Sequence, residues 1–282
     1  MFMLKKNRIF KGLLASLFLV SFIPAMAATD PKGFTDGKNF PSLLTSSAES
    51  PALKRMSDSL YNLIGLNNYG LEREVFYAAI KGYEYLENQG AIRKKNVLTI
   101  CDYSQSSNNK RLYVIDVTEA RLLFNTYVSH GKNSGGEFAT SFSNLRESNK
   151  SSLGFLLTAE TYNGKAGYSM RFDGMEAGIN DHVRARDIVL HGSNFVNSRV
   201  VEERGKIGNS LGCPAIPIAQ RKQIIDVIKG GSCFFINHPD SWYARTSAII
   251  NSRFDLVPAP VAETLHTVPA QQSTATASAT GL

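Results

Sequence analysis

A mainly β, sandwich-like domain carried behind a helical hairpin is the fold that this sequence predicts. Before residue 90 the apolar positions recur at helical spacing. From residue 96 the period changes to two, and β-branched and aromatic residues take over. Only one later segment returns to helical spacing, so the core is β with few helices, closer to a sandwich than to a parallel α/β sheet.

The elements follow in order. Ser50-Pro51 reads as an N-cap with proline at the first helical position, and Leu53, Met56, Leu60, Leu63 and Ile64 recur up to Gly65. A second helix spans 71–87, with Val75, Phe76, Ala79, Ile80, Tyr83 and Leu86 on one side. The pair reads as a hairpin packed on the main domain. Strands are expected at 96–102, 111–117, 121–128, 154–160, 167–173 and 187–191, with Asp116 to Ala120 as a hairpin turn. Ile218, Ile224, Ile225 and Ile228, with Gly230-Gly231 just beyond, predict a helix and its stop. Strand 232–237 closes the domain, and no internal repeat is visible.

The ends differ in composition. Lys5, Lys6, Arg8 and Lys11 precede an apolar run from Leu13 to Ile23, followed by Pro24-Ala25-Met26-Ala27. Residues 1–27 therefore read as a secretory signal peptide, the run being short for a bilayer span; a retained anchor is the alternative. No later segment is apolar enough to span a membrane. Residues 28–49 read as a linker, 50–94 as the helical segment, 95–240 as the main β domain and 241–257 as an extension. The tail 258–282, made of Pro, Ala, Thr, Ser and Gln, is expected to be disordered. Removing the signal lowers the formal charge from +7 to +3, and no aromatic-basic interleaving favours nucleic acid.

Three cysteines in an exported chain is an odd number, so one thiol is left over. Cys101 and Cys233 lie in apolar, strand-like runs and fit either inert core positions or a disulfide. Cys213, in Asn209-Ser210-Leu211-Gly212-Cys213-Pro214, has a loop-like context. A thiol becomes a nucleophile as the thiolate, which a nearby imidazole generates by taking the proton. His191, ending the run Asp187-Ile188-Val189-Leu190-His191-Gly192-Ser193, is the candidate. Gly192 would let the backbone pass close to a ligand, and the N–H groups of Gly212 and Cys213 would face a developing oxyanion. Ser210 reads as shaping the loop. A zinc site on His191 and Cys213 lacks two further ligands, so no metal is expected.

His191-Gly192, then 17 residues, then Ser210-Leu211-Gly212-Cys213 resembles the signature of the L,D-transpeptidase (YkuD-like) catalytic domain family. The resemblance covers about residues 95–237, and Gly212-Cys213-Pro214-Ala215 is similar to one subgroup of it. It implies a β-rich sandwich-like fold and cysteine acyl transfer on peptidoglycan tetrapeptide stems in the periplasm, with no cofactor. Cys213 would be the nucleophile and His191 the base, oriented by a backbone carbonyl near Gly192 or Ser193. An L,D-carboxypeptidase-type hydrolase and a non-catalytic wall-binding protein are the alternatives. Many members carry an arginine shortly after the cysteine, where this chain has Pro214-Ala215. Carboxylate recognition is therefore sought at Arg184, Arg199, Arg204 and Lys206, with solvated surface charges as the alternative, and His130 is a candidate for touching substrate.

Overall fold

The computed structural model describes residues 50–253; the signal peptide, linker and tail expected from the sequence lie outside them. The first helix, α1 (Pro51–Ile64), begins where Ser50 Oγ accepts the Leu53 N–H and ends at Gly65. One 3₁₀ turn (Leu66–Tyr69) leads into α2 (Arg73–Asn88). Strands β1 (Val97–Asp102), β2 (Leu112–Asp116) and β3 (Arg121–Thr126) form a meander. Its tight turn is set by Asp116, whose Oδ1 accepts the N–H groups of Thr118 and Glu119. After a long excursion come β4 (Gly154–Gly164), β5 (Gly167–Gly174) and β6 (Val189–Ser193). Helix α3 (Ser198–Arg204), β7 (Ala215–Pro217), α4 (Arg221–Ile228), β8 (Cys233–Asn237) and α5 (Ser241–Thr246) complete the described chain.

All eight strands join one mixed sheet in the order β3-β2-β1-β8-β4-β5-β6-β7, which meets the mainly β, sandwich-like expectation. Pairs β1/β8 and β6/β7 are parallel and the rest antiparallel. A register shift between Thr158 and Thr161 marks a bulge in β4, a feature that bends a strand. The sheet curls until its two ends meet, nearly closing a barrel. Just past β3, Ser129 bridges Ala215 of β7, and Gly131 bridges Ser210.

Strands β1, β2 and β8 are buried along their whole length, so both faces of the sheet centre are covered. Helices α2 and α4 both pack on β1. Gly82 of α2 lies flat on Phe155 of β4, which stacks on Phe235 of β8 at 4.3 Å. The segment after β8 is part of this core rather than an appendage. Tyr243, Ile249 and Ile250 are buried, and the Ile250 carbonyl accepts the buried Lys81 Nζ at 2.7 Å.

Four expectations shift. β4 runs four residues past residue 160. β6 starts two residues late, because Asp187 takes a left-handed conformation (φ 53°) and Ile188 N–H turns back to Val183. Ile218 lies outside the helix that its spacing suggested and is exposed, since α4 starts at Arg221. Elements α3, β7 and α5 are not anticipated by the periodicity.

A methyl on Gly82 would sit 2.0 Å from the Phe155 ring, so Gly82→Ala should overpack this contact. We expect a loss of about 1–3 kcal/mol, read as a lower urea midpoint at unchanged m-value.

Candidate active site

The loop 209–214, which carries Cys213, is built at the seam where the sheet closes. Ser129 N–H donates to Ala215 O (2.8 Å), Ser210 N–H to His130 O (2.9 Å) and Lys132 N–H to Ser210 O (2.8 Å). Ser210 Oγ donates to Cys213 O (2.6 Å) and accepts the Gly212 N–H (3.0 Å), which closes the loop on itself. Gly212 has φ 126°, and a Cβ there would stand 3.0 Å from the Lys150 carbonyl. Only glycine meets both constraints. Behind the loop, Ser151 Oγ donates to Gly212 O at 3.1 Å.

Cys213 is half-buried. Its Sγ accepts the Val189 N–H at 3.4 Å and faces the Asp187 carbonyl at 3.5 Å. His191 lies two residues beyond Val189 on the same strand, and its own register partner across β6/β7 is Ala215, two residues beyond Cys213. Cys213, just before β7, is thus offset from His191 by two residues, roughly 7 Å along the strand direction on top of the roughly 5 Å between neighbouring strands. In this resting arrangement the thiol sits on backbone groups rather than on the imidazole. The half-buried His191 ring places Nδ1 3.1 Å from Gly192 O, so the Nδ1–H tautomer donates there and Nε2 is left as the basic nitrogen. Burial pushes the Cys213 thiol up; the Val189 N–H and then the charge of Arg186 pull it down.

The other expected residues fall into place unevenly. Ser193 does not reach the imidazole: its Oγ accepts the Phe195 N–H, and Gly192 alone supplies the orienting carbonyl. The close approach at Gly192 is to Arg221 and Ile218, not to a ligand cleft. Of the two oxyanion donors, Gly212 N–H is engaged by Ser210, which leaves that of Cys213.

His130 is fully buried beneath the loop, between Arg111 Nη2 (2.8 Å) and Gly135 O (3.3 Å), so it cannot touch substrate. Arg184 is held by Glu160 and Asp173, each at 2.6 Å, and Arg199 by Glu203 at 2.6 Å. Arg204 is exposed at the end of α3. None of these three arginines bonds the nucleophile loop among the described residues. Lys206 does, through Asn209 Oδ1 at 2.9 Å.

The residue that the sequence reading left unassigned is Arg186. Its Nη1 donates to Ser143 O (2.5 Å) and Ser152 Oγ (2.7 Å), and its Nη2 to Ser148 Oγ (3.2 Å) and Lys150 O (2.6 Å). It opens onto a cleft of about 240 Å³ between residues 146–149, residues 185–188 and Leu211. Among the described residues there is no cluster of three metal-ligating side chains, and no helix long and apolar enough to cross a membrane.

Cys101 and Cys233 are buried free thiols. Pairing of Cys233 with Leu98 sets it three residues from Cys101 on the adjacent strand, on the opposite face. That is roughly 10 Å along the strand, beyond the ~7 Å reach of a disulfide. Burial pushes the Cys101 thiol up to about 12, and raises that of Cys233 as well.

A curled, mainly β domain with a half-buried thiol on a glycine loop beside a carbonyl-oriented histidine is the class that fold and site define. Residues 67–237 match the sequence profile YkuD_2, the L,D-transpeptidase catalytic domain. The chain belongs to that family.

No curated protein matches. Similar solved structures include an L,D-transpeptidase from Mycobacterium smegmatis (12% identity, TM-score 0.32, covering 51% of this chain and 59% of that one). The helical cell shape determining protein Pgp2 (K307A mutant) from Campylobacter jejuni is similar at 12% identity and TM-score 0.34, covering 57% and 54%. An L,D-transpeptidase (Yku) from Stackebrandtia nassauensis is similar at 13% and 0.31, covering 67% and 92%. This chain thus spans less than two thirds of the first two. Likeness at these TM-scores is loose, and membership rests on the sequence match.

Two outcomes follow. Native iodoacetamide should add one label, on Cys213, and denatured protein three, by intact mass. Burial, then Arg111, pushes His130 down to about 4, below the 6.5 of a free imidazole. The folded state therefore binds fewer protons than the unfolded one between those values, so stability falls as pH drops from about 6.5 to 4, by on the order of 3 kcal/mol. Urea midpoints over that range should lose this part of their slope in His130→Gln.

Proposed function

We propose that this chain is a periplasmic cysteine acyl-transfer enzyme acting on peptidoglycan stem peptides. The observation that carries the reading is the placement of the Cys213 sulfur against the backbone that leads, two residues later, to a histidine whose Nδ1 is tied to the Gly192 carbonyl. Family membership supports peptidoglycan as the substrate class. The sequence Gly212-Cys213-Pro214-Ala215 supports the subgroup, and the basic-apolar start of the chain supports export.

The chemistry follows from the groups present. Burial keeps the resting thiol protonated, so it needs a base at the moment of attack. For attack, the proton must pass from the Cys213 sulfur, which rests against Val189 N–H, to His191 Nε2. The thiolate adds to the carbonyl between diaminopimelate and the terminal D-Ala. The Cys213 N–H, for which no acceptor is found among the described residues, is placed to meet the oxyanion. As the C–N bond breaks, His191 returns the proton to the departing D-Ala amine, leaving a thioester on Cys213. An amine of a second stem then attacks, forming the new amide and releasing the thiol. With Gly212 N–H occupied by Ser210, the loop arrives pre-formed rather than folding around substrate.

Residues 28–282, incubated with tetrapeptide muropeptides, should release D-Ala and form cross-linked dimers by mass spectrometry. Cys213→Ala should abolish both, and His191→Gln should slow both by about 10²–10⁴-fold. Tripeptides without dimers would replace transfer by hydrolysis, and unchanged muropeptides would sink the enzymatic reading.

A further inference from the structure

We infer that Arg186 is the positioning residue of this site: it staples the cleft wall 143–152 against the nucleophile loop and supplies the positive charge against which the Cys213 thiolate forms. The inference rests on Cys213 being the reactive thiol, as proposed above. Three observations carry it.

The guanidinium is half-buried, yet all four acceptors that it meets are neutral, two carbonyls and two serine hydroxyls. Among the described residues no carboxylate pairs with it and its buried Nε has no hydrogen-bond partner. A cation sequestered in this way without a counter-ion is costly unless an anion joins it in the working state. The second observation is connectivity. The Lys150 carbonyl that Arg186 holds is the atom against which Gly212 packs, and Ser151, next in the chain, holds the Gly212 carbonyl. The third is position, since Arg186 directly precedes the residue whose carbonyl faces Sγ.

The charged groups around the sulfur are few. Asp187 opposes thiolate formation, but its carboxylate is partly neutralised by Arg171 at 3.2 Å. His191 lies on β6, Arg146 and Glu147 rim the cleft, and Lys150 Nζ is turned onto Ser141 Oγ at 2.7 Å. Arg146 and Lys150 also lack a carboxylate partner among the described residues, but Arg186 is the cation whose charge acts on the Cys213 thiol.

The test reads the thiol and the wall without any muropeptide. The rate of Cys213 alkylation by iodoacetamide is followed from pH 5 to 10, and hydrogen exchange is followed over residues 143–152. Arg186→Gln should raise the alkylation midpoint by about one pH unit, roughly tenfold slower labelling at neutral pH, and should speed exchange in the wall. Arg186→Lys keeps the charge and loses the fork; its midpoint should stay within about half a unit of the parent's while exchange still accelerates. A folded Arg186→Gln with an unmoved midpoint overturns the inference. Should that variant fail to fold, Arg186→Lys decides: a raised midpoint or unchanged exchange overturns it. Inactivity of the parent on muropeptides would instead refute the function and leave these readouts standing.

Discussion

Main-chain hydrogen bonds between residues 129–132 and 210–215 hold the curled sheet shut, and the reactive loop has its shape because of that seam. Strand β7 has three residues and would be a weak edge by itself. Here it is paired on one side with β6 and met on the other by Ser129. The seam is in turn fixed from below. Tyr103 Oη donates to Ser129 O (2.9 Å), and the buried Arg111 donates to Val128 O through Nε (3.2 Å) and Nη2 (3.0 Å). The Val128 and Ser129 carbonyls at the seam are thus satisfied by the protein itself, which favours one arrangement of the loop.

That constraint explains the choice of residues around the sulfur. Gly212 must pass under the Lys150 carbonyl at positive φ, Ser210 must satisfy two backbone groups at once, and Pro214 needs no hydrogen-bond acceptor. Burial at the seam raises the cost of a thiolate, so under the proposed function the same packing that fixes Cys213 would make its reactivity depend on His191 and Arg186. Structure and reactivity are coupled through one desolvated spot.

Long periodic elements were legible in the sequence: α1 from its Ser50-Pro51 cap, α2 from its apolar stripe, and seven of the eight strands from alternation. What escaped has tertiary causes. β7 is a strand only because β6 lies beside it, and α3 is a seven-residue helix started by an Asn197 cap, too short for a periodic signal. At the site, the thiol and the histidine were visible as a spaced pair. The engagement of Gly212 N–H by Ser210, the burial of His130 and the reach of Arg186 were not. The acceptors of Arg186 lie 34 to 43 residues away in the chain, a separation at which sequence pattern says nothing about contact.

The central claim is that the Cys213 sulfur becomes acylated by the stem peptide. Rapid quenching of the parent protein with a tetrapeptide muropeptide, followed within seconds by intact mass and peptide mapping, tests it most directly. The account predicts a transient adduct of the muropeptide less D-Ala, confined to the peptide that contains Cys213 and discharged when an acceptor amine is added. D-Ala release with no such adduct, or an adduct on any other residue, would contradict it.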